Sequence, residues 1–236
     1  MACAPPVELK RNFQRDVLEI DAEEFKMTTP SNSSSSTAIN DMNITEIVER
    51  ICKLNSSLEN FWSRSDGWAP QKTAELLGAV RLDWQTSLSN CLHQWVTPEN
   101  PPISDGELIL AWTNLGSLIE GSIKLLLSVY ATDYLIDPKG AKSAGIHVRN
   151  ELPKSPAILT LEHLKIYCRK NKLLGEDGDA LVELVQARRN AIHAFKHSDI
   201  GNLDEYLMAV RHYLELLRGI NNRLPYPHDA WVPHEI

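Results

Sequence analysis

The sequence predicts an all-α fold: an up-and-down bundle of about five to six helices with irregular N- and C-terminal tails. Apolar residues recur at helical spacing over several long stretches, and prolines fall in the gaps between those stretches. The third observation is size. The chain has 236 residues, 43% of them hydrophobic, enough for one core of ordinary dimensions plus tails.

Taken in order, residues 1–27 mix charges with Leu9, Phe13, Val17 and Ile20 at helix-like spacing. They read either as a docked arm or as a segment that orders on meeting a partner. Residues 28–37, TTPSNSSSST, have the composition of a flexible polar linker. Residues 1–40 are therefore expected to be an N-terminal arm and Ser-rich linker, 41–225 the helical domain, and 226–236 a Pro-rich tail packed as irregular chain. Within the domain, residues 43–64, 71–95 and 107–133 are long and periodic. Pro70, the prolines of 98–102 and Pro138 act as breaks.

Residues 137–156, DPKGAKSAGIHVRNELPKSP, form a long connection carrying Lys139, Lys142, His147, Arg149 and Lys154 against Asp137 and Glu151. It reads either as a solvated loop or as a flap that closes over a phosphate site. A helix over 159–171 and a turn at 175–178 lead into the motif helix, which starts near Leu181 and runs until 198–201 reset the chain. Ser198 or Asp199 is a candidate cap for the last helix, 203–224.

Composition narrows the function. Cys3, Cys52, Cys91 and Cys168 are scattered, with no C-x-x-C pair and no His at ligand spacing, so reduced thiols are expected and no structural zinc. No metal and no cofactor are expected. The most apolar run, 108–135, is broken by Asn114, Glu120 and Lys124, which suits a central bundle helix better than a membrane span. The first 30 residues are charged throughout, without the apolar stretch of a secretory signal, so the expected address is cytoplasmic. The formal net charge of −7 disfavours indiscriminate coating of nucleic acid. Bases and acids nearly balance over 157–224, however, which leaves room for a chosen RNA or a protein partner. Trp62, Trp68, Trp84, Trp95 and Trp112 read as core or interface anchors rather than as a base-stacking platform.

The densest chemistry lies in 181–200, LVELVQARRNAIHAFKHSDI, where Arg188, Arg189, Asn190 and His193 crowd an apolar helical stretch. Arg188 and His193 have four residues between them. On a helical projection Arg188 falls with Leu181, Ile192 and Phe195, while Gln186, Asn190 and His193 fall on the far side. An Arg on the apolar side must find a partner, and Glu120 on an earlier helix is one acceptor for a structural ion pair. A second Arg–His match at this spacing, Arg223 and His228, spans Pro225 and Pro227 and is read as chance.

The Arg188–His193 spacing, the polar residue inside it and the following Phe195 resemble the HEPN domain, a helical superfamily whose nucleases carry an Arg and a His on one helix. The resemblance extends loosely over 40–225. Here Arg189 follows Arg188 directly and Asn190 comes one position later. The alternative pairing, Arg189–Asn190, shortens the gap to His193 to three residues, and both registers stay open. The resemblance implies a metal-independent endoribonuclease working as a homodimer, a toxin or phage-defence effector controlled by a neutralising protein partner, with RNA rather than DNA as substrate. His193 would take the ribose 2′-OH proton, Arg188 and Arg189 would stabilise charge on the phosphate, and Asn190 would orient an oxygen. The rival expectation is a non-catalytic helical module that binds a protein or a nucleotide with the same face.

Overall fold

A computed structural model describes residues 39, 42–96, 103–193, 197–227 and 230–236. Of the expected arm and linker, residues 1–40, only Ile39 is among them, and it is buried with its carbonyl accepting from Arg211 at 2.8 Å; residues 38–236 form one compact unit. Its helices are α1 (Ile44–Trp62), α2 (Gln71–Ala79), α3 (Leu82–Asn90), α4 (His93–Val96), α5 (Asp105–Val129), α6 (Ala131–Leu135), α7 (Pro138–Ser143), α8 (Leu161–Lys170), α9 (Gly175–Arg189) and α10 (Leu203–Asn221). A two-stranded hairpin, β1 (Val148–Arg149) and β2 (Leu152–Pro153), follows α7. The chain is thus an all-α helical bundle.

Local chemistry explains most boundaries. Asn43 caps α1 through the Thr45 N–H, and Asn202 caps α10 through the Glu205 N–H at 2.9 Å. Ser104 and Glu107 form a reciprocal capping box at the start of α5, which holds the Glu107 carboxyl below its usual range. The cap of α10 is therefore Asn202, not Ser198 or Asp199.

Helix α5 is the axis of the core, with Trp112, Leu115, Leu118, Ile119 and Ile123 fully buried among Trp62, Tyr206 and Tyr213. Trp112 packs edge-on against Tyr206 at 5.2 Å, and Ser122 bonds Tyr213 at 3.0 Å, so α5 and α10 run in the same direction. Helix α3 runs against α5: Gln85 donates to the Leu118 carbonyl at 2.7 Å, and Asn114 donates to the Leu88 carbonyl at 3.1 Å. The single helix expected over 71–95 is divided into α2, α3 and α4. The divisions let α3 turn so that its polar Gln85 enters the core beside Gly121, whose hydrogen leaves the space.

Helices α8 and α9 are antiparallel, joined by Gln186–Glu162 and Arg169–Glu183 contacts. Helix α9 runs against α10, since Arg188 meets Glu205 and Gly178 faces Leu216. It follows that α8 has the same direction as α5, and the chain between them must travel back along the bundle. That return explains the length of the 137–156 connection. It is not a structureless loop: it folds into α7, the hairpin and a 3-10 turn, Pro156–Ile158. Its described hydrogen bonds run to Tyr134, Tyr167 and Lys170, and none reaches Arg188, Arg189, Asn190 or His193.

The C-terminal segment packs as irregular chain, as its prolines suggest. Glu235 bridges Arg50 of α1 and Arg218 of α10, Ser57 donates to the His234 carbonyl at 2.9 Å, and Asn221 to that of Pro233 at 2.9 Å. Arg223, from the second Arg–His spacing, lies beyond the end of α10 and donates to the carbonyls of Gly219 and Leu173. His228 is outside the described residues.

Candidate functional site

The motif does not lie on one helix. Helix α9 ends at Arg189, residues Asn190–Ile192 form a 3-10 turn, and His193 leaves it at φ −85° and ψ 72°. The expected motif helix, from Leu181 up to the reset at 198–201, is thereby corrected, and with it the projection that set Arg188 opposite His193. The reason is chain return. Continuing α9 to Ile200 would carry the backbone about 16 Å past Arg189, yet Glu205, on the antiparallel α10, has to come back level with Arg188. The last turn of α9 holds Arg188 and Arg189, where the negative end of the helix dipole favours cations.

Arg188 is the centre of the junction. Its Nε and Nη2 donate to the two oxygens of Glu205 at 2.8 and 3.0 Å. Nη1 lies 2.6 Å from an Asp199 carboxylate oxygen and donates to the Asp199 carbonyl at 2.9 Å. Its side chain is only 16% exposed. The bond to Glu205 first, and that to Asp199, hold its pKa above the ordinary arginine value against the effect of burial. Asp199 accepts from the Gly201 N–H at 2.9 Å, and that bond, followed by Arg188, holds its carboxyl below the usual range. Gly201 has φ +66°, and a side chain there would overlap Glu205 and come within 3.0 Å of Arg188 Nε. Trp112 fixes the same segment by donating to the Ile200 carbonyl at 2.8 Å.

Arg189 turns the other way. It lies against Gly116 of α5 and donates to Glu120 at 3.1 Å, and Glu120 also holds Lys124 at 2.8 Å. Glu120, the acceptor expected for Arg188, thus belongs to Arg189, and Arg188 takes Glu205 and Asp199. Asn190 and His193 are exposed. Residues 194–196, with Phe195, lie outside the described residues. The structure therefore brings Arg188, Arg189, Asn190 and His193 to one end of α9 but gives the two guanidiniums separate carboxylate partners.

Beside this junction opens a groove of ≈480 Å³ lined by Asp105, Ile109, Ala191, His197, Ser198, Asp199 and Ile200. Ile192, 45% exposed, is the next residue after Ala191 of that lining. Its apolar members are Ile109, Ala191 and Ile200, and Asp105 is its acid besides the Asp199 already paired with Arg188. Among the described residues no group of His, Cys, Asp and Glu is arranged to hold a metal ion.

Sequence reasoning missed Glu205, Asp199, Gly201 and Gly116. A usable signal existed in the Asp199-x-Gly201 turn followed by Asn202 and, three residues on, Glu205. Gly116 carried none, since its role appears only when α9 is laid across α5. Of the tryptophans, Trp62 and Trp112 are in the core, whereas Trp84 is 59% exposed and lies under the Arg81 guanidinium at 4.3 Å. No family model, no curated protein and no solved structure matches the chain.

Proposed function

We propose that this chain is a non-catalytic, HEPN-like helical binding module, in which Arg188 and Arg189 hold the bundle together and the adjoining groove receives a protein segment. The observation that carries the reading is the closure of Arg188 by Glu205 and Asp199. A guanidinium already held bidentately by one carboxylate and touched by another must give up at least one of these contacts before it can hold phosphate bidentately. The groove itself favours a ligand with an apolar anchor, for Ile109, Ala191 and Ile200, and a basic flank, for Asp105.

A second reading, the metal-independent endoribonuclease acting as a homodimeric toxin or defence effector, draws support from His193 and Asn190. Both are exposed within five residues of Arg188. In that reading His193 removes the 2′-OH proton, and Arg188, released from its acids by substrate or partner, stabilises the phosphate.

One experiment separates them. Purified wild type and His193→Ala protein are incubated with total cellular RNA in EDTA, while folding and oligomeric state are followed in parallel. The module leaves RNA intact in both. Discrete cleavage by wild type alone, leaving 2′,3′-cyclic phosphate ends, overturns it in favour of the nuclease.

A further inference from the structure

The hairpin between α7 and α8 has a face that the bundle does not use. Val148 pairs with Pro153 and Arg149 with Leu152, and the Lys154 N–H extends the ladder to the His147 carbonyl at 3.1 Å. Antiparallel partners share a face and successive residues alternate. Val148 and Pro153 therefore point to one side, half-buried and buried, with buried Ile146 preceding them. His147, Arg149, Leu152 and Lys154 occupy the other, and all four are exposed. Helix α7 packs against both strands and adds exposed Lys139 and Lys142.

Among the described residues none of Lys139, Lys142, Arg149 and Lys154 has an ion-pair or hydrogen-bond partner for its side-chain cation. This stands out in a chain of net charge −7, where many other Arg and Lys residues are paired. The acids of the segment do not neutralise the face. Asp137 is engaged by the Gly140 N–H and the Tyr167 hydroxyl, and Glu151 sits in the turn. That turn is held at positive φ at both Asn150 (51°) and Glu151 (63°), the geometry of a tight two-residue hairpin, so the cations are carried on a defined finger and not on a loose loop.

We propose that this outer face binds the phosphodiester backbone of a single-stranded nucleic acid. Same-face residues along a strand stand about 6.6 Å apart and cross-strand partners about 5 Å apart, so Arg149, Lys154 and His147 reach successive phosphates of one strand. Arg149 offers the planar fork that suits phosphate. Leu152 is the only apolar side chain on the face, too little for the apolar centre of a protein interface or for insertion into a lipid surface. The site is independent of the motif chemistry and of the groove beside Arg188.

The test uses the full chain and a labelled, mixed-sequence 2′-O-methyl RNA 15-mer, which lacks the hydroxyl needed for self-cleavage, followed by fluorescence anisotropy between 25 and 200 mM salt. Wild type is expected to bind, with affinity falling as salt rises. Arg149→Ala/Lys154→Ala should weaken binding at least about tenfold at the lowest salt. It should also reduce the log–log salt slope by about 1.4, or about 0.7 for each phosphate left without its cation. Lys53→Ala/Arg64→Ala removes the same charge from α1 and the turn that follows it and should change affinity less than about twofold. No binding by wild type, equal loss in both double variants, or binding of polyglutamate or phosphatidylserine vesicles in place of the RNA overturns the proposal.

Discussion

Arg189 crosses α5 at Gly116, where a Cβ would come within 2.6 Å of Arg189 Cδ. The missing side chain is what lets the guanidinium reach Glu120 one turn further along α5. Gly116→Ala is therefore expected to destabilise the fold by on the order of 1 kcal/mol, the overlap with Arg189 and the displaced ion pair together outweighing the gain in helix propensity. In an Arg189→Ala background the same substitution should stabilise, because only the propensity gain is left. Urea denaturation of the four proteins reads this change of sign.

Arg188 and Glu205 should be coupled. A double-mutant cycle with Arg188→Gln and Glu205→Gln is expected to give a coupling of on the order of 1–2 kcal/mol, since the pair is bidentate but partly solvated. A coupling indistinguishable from zero removes the structural role assigned to Arg188.

Gly201→Ala should be more damaging than Gly116→Ala. It imposes a side chain at φ +66° and drives it into Glu205. A loss of about 2 kcal/mol is expected, from left-handed strain plus displacement of the Arg188 partner. Thermal melts of the two alanine variants give the ranking.

Acid should loosen the C-terminal strap. Burial pushes the Glu235 carboxyl up, but hydrogen bonds from Arg218 and Arg50 prevail and hold it below its ordinary value. Its folded pKa thus lies below the unfolded one, so its contribution is complete above about pH 4.5 and fades as pH falls through the folded value. Asp199 follows the same sign. The melting-temperature gap between wild type and Glu235→Gln should be widest near neutrality and close towards pH 3.

The Cys168 thiol is buried, and burial pushes its pKa up to about 12. Iodoacetamide at pH 8 should leave it unmodified in the folded chain and label it after denaturation. Mass spectrometry of tryptic peptides decides this, and rapid native labelling would contradict the packing around it.

The sequence by itself determined the bundle. Apolar spacing in residues 43–64, 107–133 and 203–224 predicts the three helices that the structure places at Ile44–Trp62, Asp105–Val129 and Leu203–Asn221 around one core. It also placed Arg188, Arg189, Asn190 and His193 close together, because they are neighbours in the chain. Only the tertiary structure decided which acid each arginine meets, where α9 stops, and what the 137–156 connection is for. Helical periodicity is a local property with a fixed period, whereas ion-pair choice depends on which helices lie side by side and at what level. Arg188 and Glu205 are 17 residues apart, and Arg189 and Glu120 are 69 apart. No local pattern carries that information until α9 is set between α5 and α10, with Gly116 and Gly201 leaving room for the two guanidiniums.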